Sequence, residues 1–371
     1  MKCKLSDICG FRKGKVDVSN LTLKTYISTE NMLPNKGGIT VASSLPTVQL
    51  TQEYKKGDVL VSNIRPYFKK IWQAKNDGGC SNDVLVFQGN SNIDGDFLYY
   101  ILANDDFFVY SMATSKGTKM PRGDKTSIMQ YEVPVFDVDT QRKIASVLRC
   151  LDEKIELNSA INKNLEQQAQ AIFKSWFIDF EPFSNRKPND WSVSTLGNVS
   201  IMGAGGDKPQ NVSPIKTDLY EYPIYSNGLS NEGLYGFTDK SKISEESVTV
   251  SARGTIGFVC LRHIPYVPIV RLVTLIPKTE IISAKYLYLW LKQLHITGTG
   301  TTQQQLTVPD FQKTEILVPS QEIVTLFTAK VEPIFEKIWA NQNENEKLSS
   351  LRDTLLPKLM SGKLDVSDID L

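Results

Sequence analysis

The apolar residues of this chain fall into two kinds of pattern, and the longer-range one is the more informative. From Thr140 to Phe177, stepping alternately by four and three residues from Ile144 visits Leu148, Leu151, Ile155, Asn158, Asn162, Leu165, Ala169, Ile172 and Trp176. That spacing is a heptad seam, in which one helix lies along another. Neither Pro nor Gly interrupts it, and 38 residues at 1.5 Å each span about 57 Å. A second seam runs from Phe327 through Val331, Ile334, Ile338, Asn341, Asn345, Leu348, Arg352 and Leu355 to Leu359. Both seams carry Asn at two adjacent core steps. Shifting by 183 residues lays Leu151–Ile155 on Ile334–Ile338 and places Asn158 and Asn162 on Asn341 and Asn345. A core Asn costs stability and fixes register. The spacing predicts an antiparallel helix pair in which Asn158 meets Asn345 and Asn162 meets Asn341. Exposed polar residues on two unrelated helices are the plainer alternative.

Between these helices the pattern shortens to strand period. Runs at 38–42, 58–62, 70–74 and 83–87 are apolar or alternating, with turn residues such as Asn35-Lys-Gly-Gly38 and Asn76-Asp-Gly-Gly79 between them. A helix is predicted at 97–102, a basic Gly-containing loop at 115–125, and a last strand at 129–135. Residues 178–190, with Pro182 and Pro188, read as a linker. Residues 191–319 then repeat the plan. Glu246–Leu261 corresponds to Gly57–Trp72, the segment 284–293 to the helix at 97, the Gln-rich loop 298–307 to the basic loop, and Glu315–Val318 to Glu132–Val135. Pro357 should weaken or kink the second long helix, and Gly362 should end it before an acidic tail. The expected fold is α+β, with a pseudo-twofold internal repeat. Its segments are a globular domain at 1–138, a long helix and linker at 139–183, a second domain at 184–320, and a second long helix and tail at 321–371.

Composition narrows the class. Hydrophobic residues make up 41% and charged residues 22% of the 371, no apolar run is long enough for a membrane helix, and the opening residues carry no apolar leader. A cytoplasmic protein is expected. The five cysteines are scattered and never form CxxC, and there are only two histidines, so neither disulfides nor a metal site is expected. Net charge is +1, with the positive excess in the two globular segments. There is no phosphate-binding G-x-x-x-x-G-K-[ST], no nucleophile elbow, and none of the runs an adenine methyltransferase carries. Tyr67, Phe68 and Trp72 are expected to fill the core.

The two-copy plan, together with the stretches QAIFKSWF (170–177) and LRDTLLPKLMSGKLDVSDI (351–369), closely resembles the specificity subunits of type I restriction-modification systems. The likeness covers nearly the whole chain and is strongest in the long helices. It implies two target recognition domains, each reading one half of a split double-stranded DNA site, with the helices as a spacer. It implies a chain without catalysis that binds no cofactor. Methylation subunits, in two copies, would dock on the helices near Arg142, Arg149 and Glu153 and bring S-adenosylmethionine, and restriction subunits would bring ATP and Mg. Half-sites about one DNA turn apart, ~34–36 Å, suit such a rod. Arg, Lys, Asn and Gln read base edges and, with Ser and Thr, hold phosphates. On those grounds the DNA-facing candidates are Arg65, Lys69, Lys116, Thr118, Lys119, Arg122 and Lys125 in the first domain. In the second they are Lys208, Gln210, Asn227, Arg253, Thr301, Gln303, Gln304 and Gln305. Two other readings stand beside this one: a self-contained DNA methyltransferase or nuclease, and a coiled-coil adaptor with no DNA role.

Overall fold

The computed structural model describes residues 2–298 and 305–369. The chain forms two compact units. The first takes Met1–Asn158 and Asn343–Leu371, the second Ser159–Gln342.

In the first unit, β1 (Lys2–Lys4), α1 (Leu5–Ile8), β2 (Cys9–Phe11), β3 (Lys15–Asp17), β4 (Tyr26–Ile27), β5 (Leu50–Tyr54), β6 (Val59–Ser62), β7 (Ile71–Gln73), β8 (Gly78–Cys80) and β9 (Val84–Gly89) precede the helices α2 (Gly95–Ala103), α3 (Asp105–Ala113) and α4 (Lys125–Ile128) and the strand β10 (Glu132–Pro134). An antiparallel sheet in the order β2-β9-β6-β7 packs against a second sheet, β3-β5-β8-β4. The strand period decides which side chain goes where. Val59, Val61, Ile71, Leu85 and Phe87 face a core shared with α2, α3 and the long helices. Their neighbours Leu60, Trp72, Val84 and Val86 face the second sheet with Ile27 and Tyr54. A strand apolar on both faces reads as a continuous run, which is why Val59–Val61 stands out in the sequence. The run at 38–42 forms only an isolated bridge, Met32 to Ile39. Its apolar residues are too few and too exposed to nucleate a strand.

The second unit repeats the first of these sheets, while its other sheet has three strands in a different order. It contains β11 (Ser192–Thr195), α6 (Leu196–Val199), β12 (Ser200–Ala204), β13 (Tyr222–Tyr225), β14 (Leu234–Thr238), β15 (Ser247–Val250), β16 (Val259–Arg262), β17 (Val267–Pro268), β18 (Val273–Pro277), α7 (Ala284–Gln293), α8 (Val308–Phe311) and β19 (Glu315–Val318). The order β12-β18-β15-β16 matches β2-β9-β6-β7 strand for strand, and the pair β11-β19 matches β1-β10.

The long helices are α5 (Val138–Phe177) and α9 (Gln321–Met360), 40 residues each and offset by 183. Asp137 caps α5, accepting from the Thr140 amide and hydroxyl at 2.8 Å, and these bonds hold its carboxyl below the usual range. None of the twenty seam positions is fully exposed. Within the first unit, Asn158 Nδ2 donates to Asn345 Oδ1 at 2.9 Å, and Asn345 Nδ2 donates to the Ile155 carbonyl at 3.5 Å. Within the second, Asn341 donates to Asn162 Oδ1 at 2.8 Å, and Asn162 to the Ile338 carbonyl at 3.1 Å. The two arrangements are the same after the 183-residue shift, and in each unit the helix segments run antiparallel.

Helix α9 continues through Pro357 to Met360. A proline three residues from a helix end removes one bond where few remain to be lost. Gly362, at φ 69°, closes it: the Gly362 amide donates to Leu359 O at 3.1 Å and the Lys363 amide to Lys358 O at 3.0 Å, a Schellman cap. The tail beyond folds back rather than trailing free. Val366 is buried in the first unit's core, Ile369 packs against it, and Lys143 Nζ donates to Ser367 O at 2.7 Å.

Candidate nucleic-acid interface

In each unit the candidate residues come from two segments far apart in sequence. One is the turn after the central strand, β6 or β15. The other is the loop before the short helix α4 or α8. The fold stitches them together with the same bond twice: the Gly123 amide donates to Asn63 O at 3.2 Å, and the Leu306 amide to Ala252 O at 3.0 Å. The capping is repeated too. Asp124 accepts from Ser127 at the start of α4, and Thr307 from Asp310 at the start of α8.

Around this stitch the first unit gathers Arg65, Lys69, Lys116, Thr118, Lys119, Arg122 and Lys125. The Arg65 amide donates to Pro121 O at 2.8 Å, and Ile64 bridges to Arg122. Arg122 pairs with Asp83 at 3.1 Å, and Lys116 with Asp124 at 2.5 Å. The Lys116 hydrogen bond pulls the Asp124 carboxyl down to about 2. Lys69 meets Asp105 at 2.7 Å, and the Lys125 ammonium lies 5.8 Å from the Phe11 ring. Thr118 and Lys119 are exposed. These exposed pairs are weak, so the cations can exchange a carboxylate for a phosphate at little cost.

In the second unit Arg253 donates to Gln305 Oε1 at 2.8 Å across the stitch. Lys208 lies over the Tyr235 ring at 5.7 Å, and Gln210 is exposed. Asn227 is engaged at both ends of its amide: Nδ2 donates to Val270 O, and Oδ1 accepts from the Ala252 amide, both at 2.7 Å. It holds the turn in place rather than presenting a free edge. Thr301, Gln303 and Gln304 lie outside the described residues.

The sequence reading placed Tyr67 and Phe68 in the core, and the structure puts them on the surface. Tyr67 is 49% and Phe68 37% exposed, while Trp72 is buried. Period-2 reasoning stops at Ser62, where the chain leaves the strand. Arg65 and Lys69 both sit at φ 50°, and the abutting turn holds Asn35 and Lys36 at 53° and 61°. Left-handed backbone costs a non-glycine residue about 1–2 kcal/mol, and such strain concentrates at functional sites. Unpartnered buried polar atoms cluster here as well: Asn63 Oδ1 and Arg65 Nε in the first unit, Thr255 Oγ1 in the second. Buried polar atoms are nearly always bonded, and these lie on equivalent turns.

Two units built on the same four-stranded sheet order, each presenting a stitched polar turn and loop of its own composition, define a duplicated recognition protein. The chain belongs to the family of type I restriction modification DNA specificity domains, whose profile matches residues 1–167 and again 188–349. It is 28% identical over 453 aligned positions to the type I restriction enzyme HindI specificity subunit of Haemophilus influenzae, covering 97% of this chain and 98% of that one. It is 26% identical to the MjaIX specificity subunit of Methanocaldococcus jannaschii, covering 95% and 88%. The crystal structure of a type I restriction-modification S subunit from M. genitalium shares the fold, with a TM-score of 0.58 at 18% identity over 97% and 96% of the two chains. Among the described residues no helix is long and apolar enough to cross a membrane.

Proposed function

We propose that this chain reads a bipartite, asymmetric DNA site, one half-site per unit, and directs partner adenine methyltransferase and restriction subunits to it without performing chemistry itself. The observation that carries this is the duplicated stitch. The same backbone bonds place a turn and a loop together in both units, while the side chains they carry differ. Identical scaffolding argues for the same task, and different side chains argue for different targets. The cations of the first unit suit phosphates and guanine edges, and the Arg253–Gln305 pair suits a base pair read in the major groove. The candidate residues of both loops, including Thr301, Gln303 and Gln304, are assigned to this contact.

The long helices act as the spacer. At 40 residues each they extend about 60 Å, and the Asn158–Asn345 and Asn341–Asn162 pairs fix their register. Two copies of the methylation subunit dock along their outer faces and supply S-adenosylmethionine. Restriction subunits bring ATP and Mg, and the assembly works in the cytoplasm. The relatives' naming as specificity subunits supports this division of labour.

The test is to map methylated adenines in DNA from cells expressing this chain with its methylation subunits. Two unlike short blocks separated by an unread spacer of constant length are expected. Inserting one heptad at matching points in α5 and α9 should lengthen the spacer and leave both blocks unchanged. A continuous motif, or altered blocks with an unchanged spacer, overturns the reading.

A further inference from the structure

The turn between β6 and β7 differs from its counterpart in the second unit in a way that the shared scaffold does not require. Eight residues separate Ser62 from Ile71, and seven separate Ser251 from Val259. The longer turn is tipped by Pro66–Phe68, a single 3-10 turn. Tyr67 and Phe68 lie with ring centroids 4.6 Å apart, and both rings are open to solvent. The tip is clamped at both feet. Arg65 N bonds to Pro121 O, and the amides of Asn35 and Lys36 bond to the carbonyls of Phe68 and Lys69 at 2.8 and 2.9 Å. Cations surround it: Arg65 and Lys69 at its feet, Lys36 on the abutting turn, and the Lys70 ammonium 5.8 Å from the Phe68 ring. In the second unit Gly254 and Gly257 supply the left-handed residues without strain, and Ile256 packs against the core. No exposed aromatic stands on that turn.

We propose that Tyr67 and Phe68 form a stacking wedge that enters the base stack of the half-site read by the first unit, a device the second unit lacks. This rests on the DNA reading above and goes beyond it. The chemistry favours a polyanion with flat apolar faces. Two rings are too small a patch to bury a protein partner, and the ring of Lys and Arg suits phosphates on either side of an opened step. Aromatic side chains stack on any base, and apolar wedges open base steps and kink the duplex. Pyrimidine–purine steps open most readily. The first half-site is therefore selected partly by deformability at a step where no base edge need be contacted, and the second by edge contacts. The backbone bonds at both feet hold the tip in place against the strain at Arg65 and Lys69, which lowers the ordering cost of binding.

The test uses the full chain assembled with its methylation subunits and duplexes carrying the motif that the assembly methylates, with 2-aminopurine placed in turn at each step of both halves. Binding should raise fluorescence at one step of the first half-site. Tyr67→Ala with Phe68→Ala should abolish that rise and weaken specific binding about tenfold, with second-half signals unchanged. Tyr67→Phe with Phe68→Tyr should restore both. A double-alanine variant that unstacks and binds like the unaltered chain overturns the wedge. So does one whose only defect is failure to assemble with the methylation subunits, which would make the tip a protein-docking surface. Loss of all preference for the motif by the unaltered assembly would instead sink the DNA reading itself.

Discussion

The two units share one four-stranded sheet order and fasten it to the long helices with different side chains. In the first, Tyr100 on α2 donates its hydroxyl to Asp152 on α5 at 2.7 Å, and Asp152 in turn pairs with Arg352 on α9 at 2.7 Å. In the second, Tyr288 on α7 donates its hydroxyl to Glu166 on α5 at 2.6 Å, and the apolar packing beside it is aromatic. Phe173 and Phe177 of α5, Tyr286 of α7 and Phe327 of α9 interlock with centroid separations from 4.9 to 6.3 Å. The contrast continues on the far face of each sheet. Where the first unit stacks Leu60, Trp72 and Val86, the second places Thr249, Thr274 and Arg262, whose guanidinium lies 3.6 Å from the Tyr225 ring and donates to Thr249. The shared sheet follows from the helix-facing positions, which stay apolar in both halves; the far-face positions do not. Side-chain identity is free to drift wherever volume and hydrogen bonding are jointly conserved.

The largest effect should come from the aromatic junction. Phe327→Ala removes a fully buried ring from the middle of that cluster, and should cost about 3–5 kcal/mol. Four of the five tryptophans, Trp176, Trp191, Trp290 and Trp339, belong to the second unit, so denaturant unfolding followed by tryptophan fluorescence reads it directly. A cost under about 1 kcal/mol would mean that the cluster is filler rather than a fastening. The polar junction comes next. Asp152→Ala leaves Arg352 only its exposed partner Asp353, at 2.9 Å, strands the Tyr100 hydroxyl, and should destabilise the first unit by about 2–4 kcal/mol, whereas Asp152→Leu with Arg352→Leu, in which the Tyr100 hydroxyl alone is unpaired, should recover more than about half of that loss. If the double variant were as damaged as the single one, the network would be contributing stability and not only specifying how the unit seats on its helices. Circular dichroism melts of the two variants decide it.

Much of this architecture was legible in the sequence, for a physical reason. A heptad seam binds residues over ten or more steps, and a matched Asn pair is a rare mark, so the helices and the duplication were written redundantly. The strands β6, β7 and β9 were legible because burial on both faces makes a run apolar throughout. Short edge strands such as β3 and β4 carry no such run and went unread, as did α3, whose nine residues follow α2 after a single Asn104. The candidate site was only half legible. Basic and Gln-rich loops announce themselves by composition. That the turn at 63–69 would be pinned to the loop at 115–125 depends on backbone bonds between segments some fifty residues apart, and no local pattern encodes these. The exposure of Tyr67 and Phe68 was misread for the same cause, since aromatic residues at the end of an apolar strand look like more strand.

The smallest effect isolates a single pair of equivalent latches. Past β7, Lys75 meets Glu156 on α5 at 2.6 Å. Past β16, at the matching place, His263 lies flat on Trp339 of α9, with centroids 4.1 Å apart and planes 15° from parallel. The first is an exposed ion pair. Glu156→Gln should cost less than about 0.5 kcal/mol, and the cost should vanish in high salt. The second should ignore salt and respond to pH. Burial against Trp339, with Lys285 and Arg262 close by, depresses the His263 pKa to about 4 from 6.5. The native ring is therefore neutral where the unfolded ring takes up a proton. Its stabilising contribution is fully present above pH 6.5 and is lost as pH falls from there towards 4. The outer face of the ring is open to water, so the loss is about 1 kcal/mol or less. Tryptophan-detected unfolding between pH 7.5 and 4.5 should show that slope, and His263→Phe, which keeps the stack and removes the titration, should flatten it. An unchanged slope in His263→Phe would show that the pH response lies elsewhere, and the two latches would then differ in shape alone.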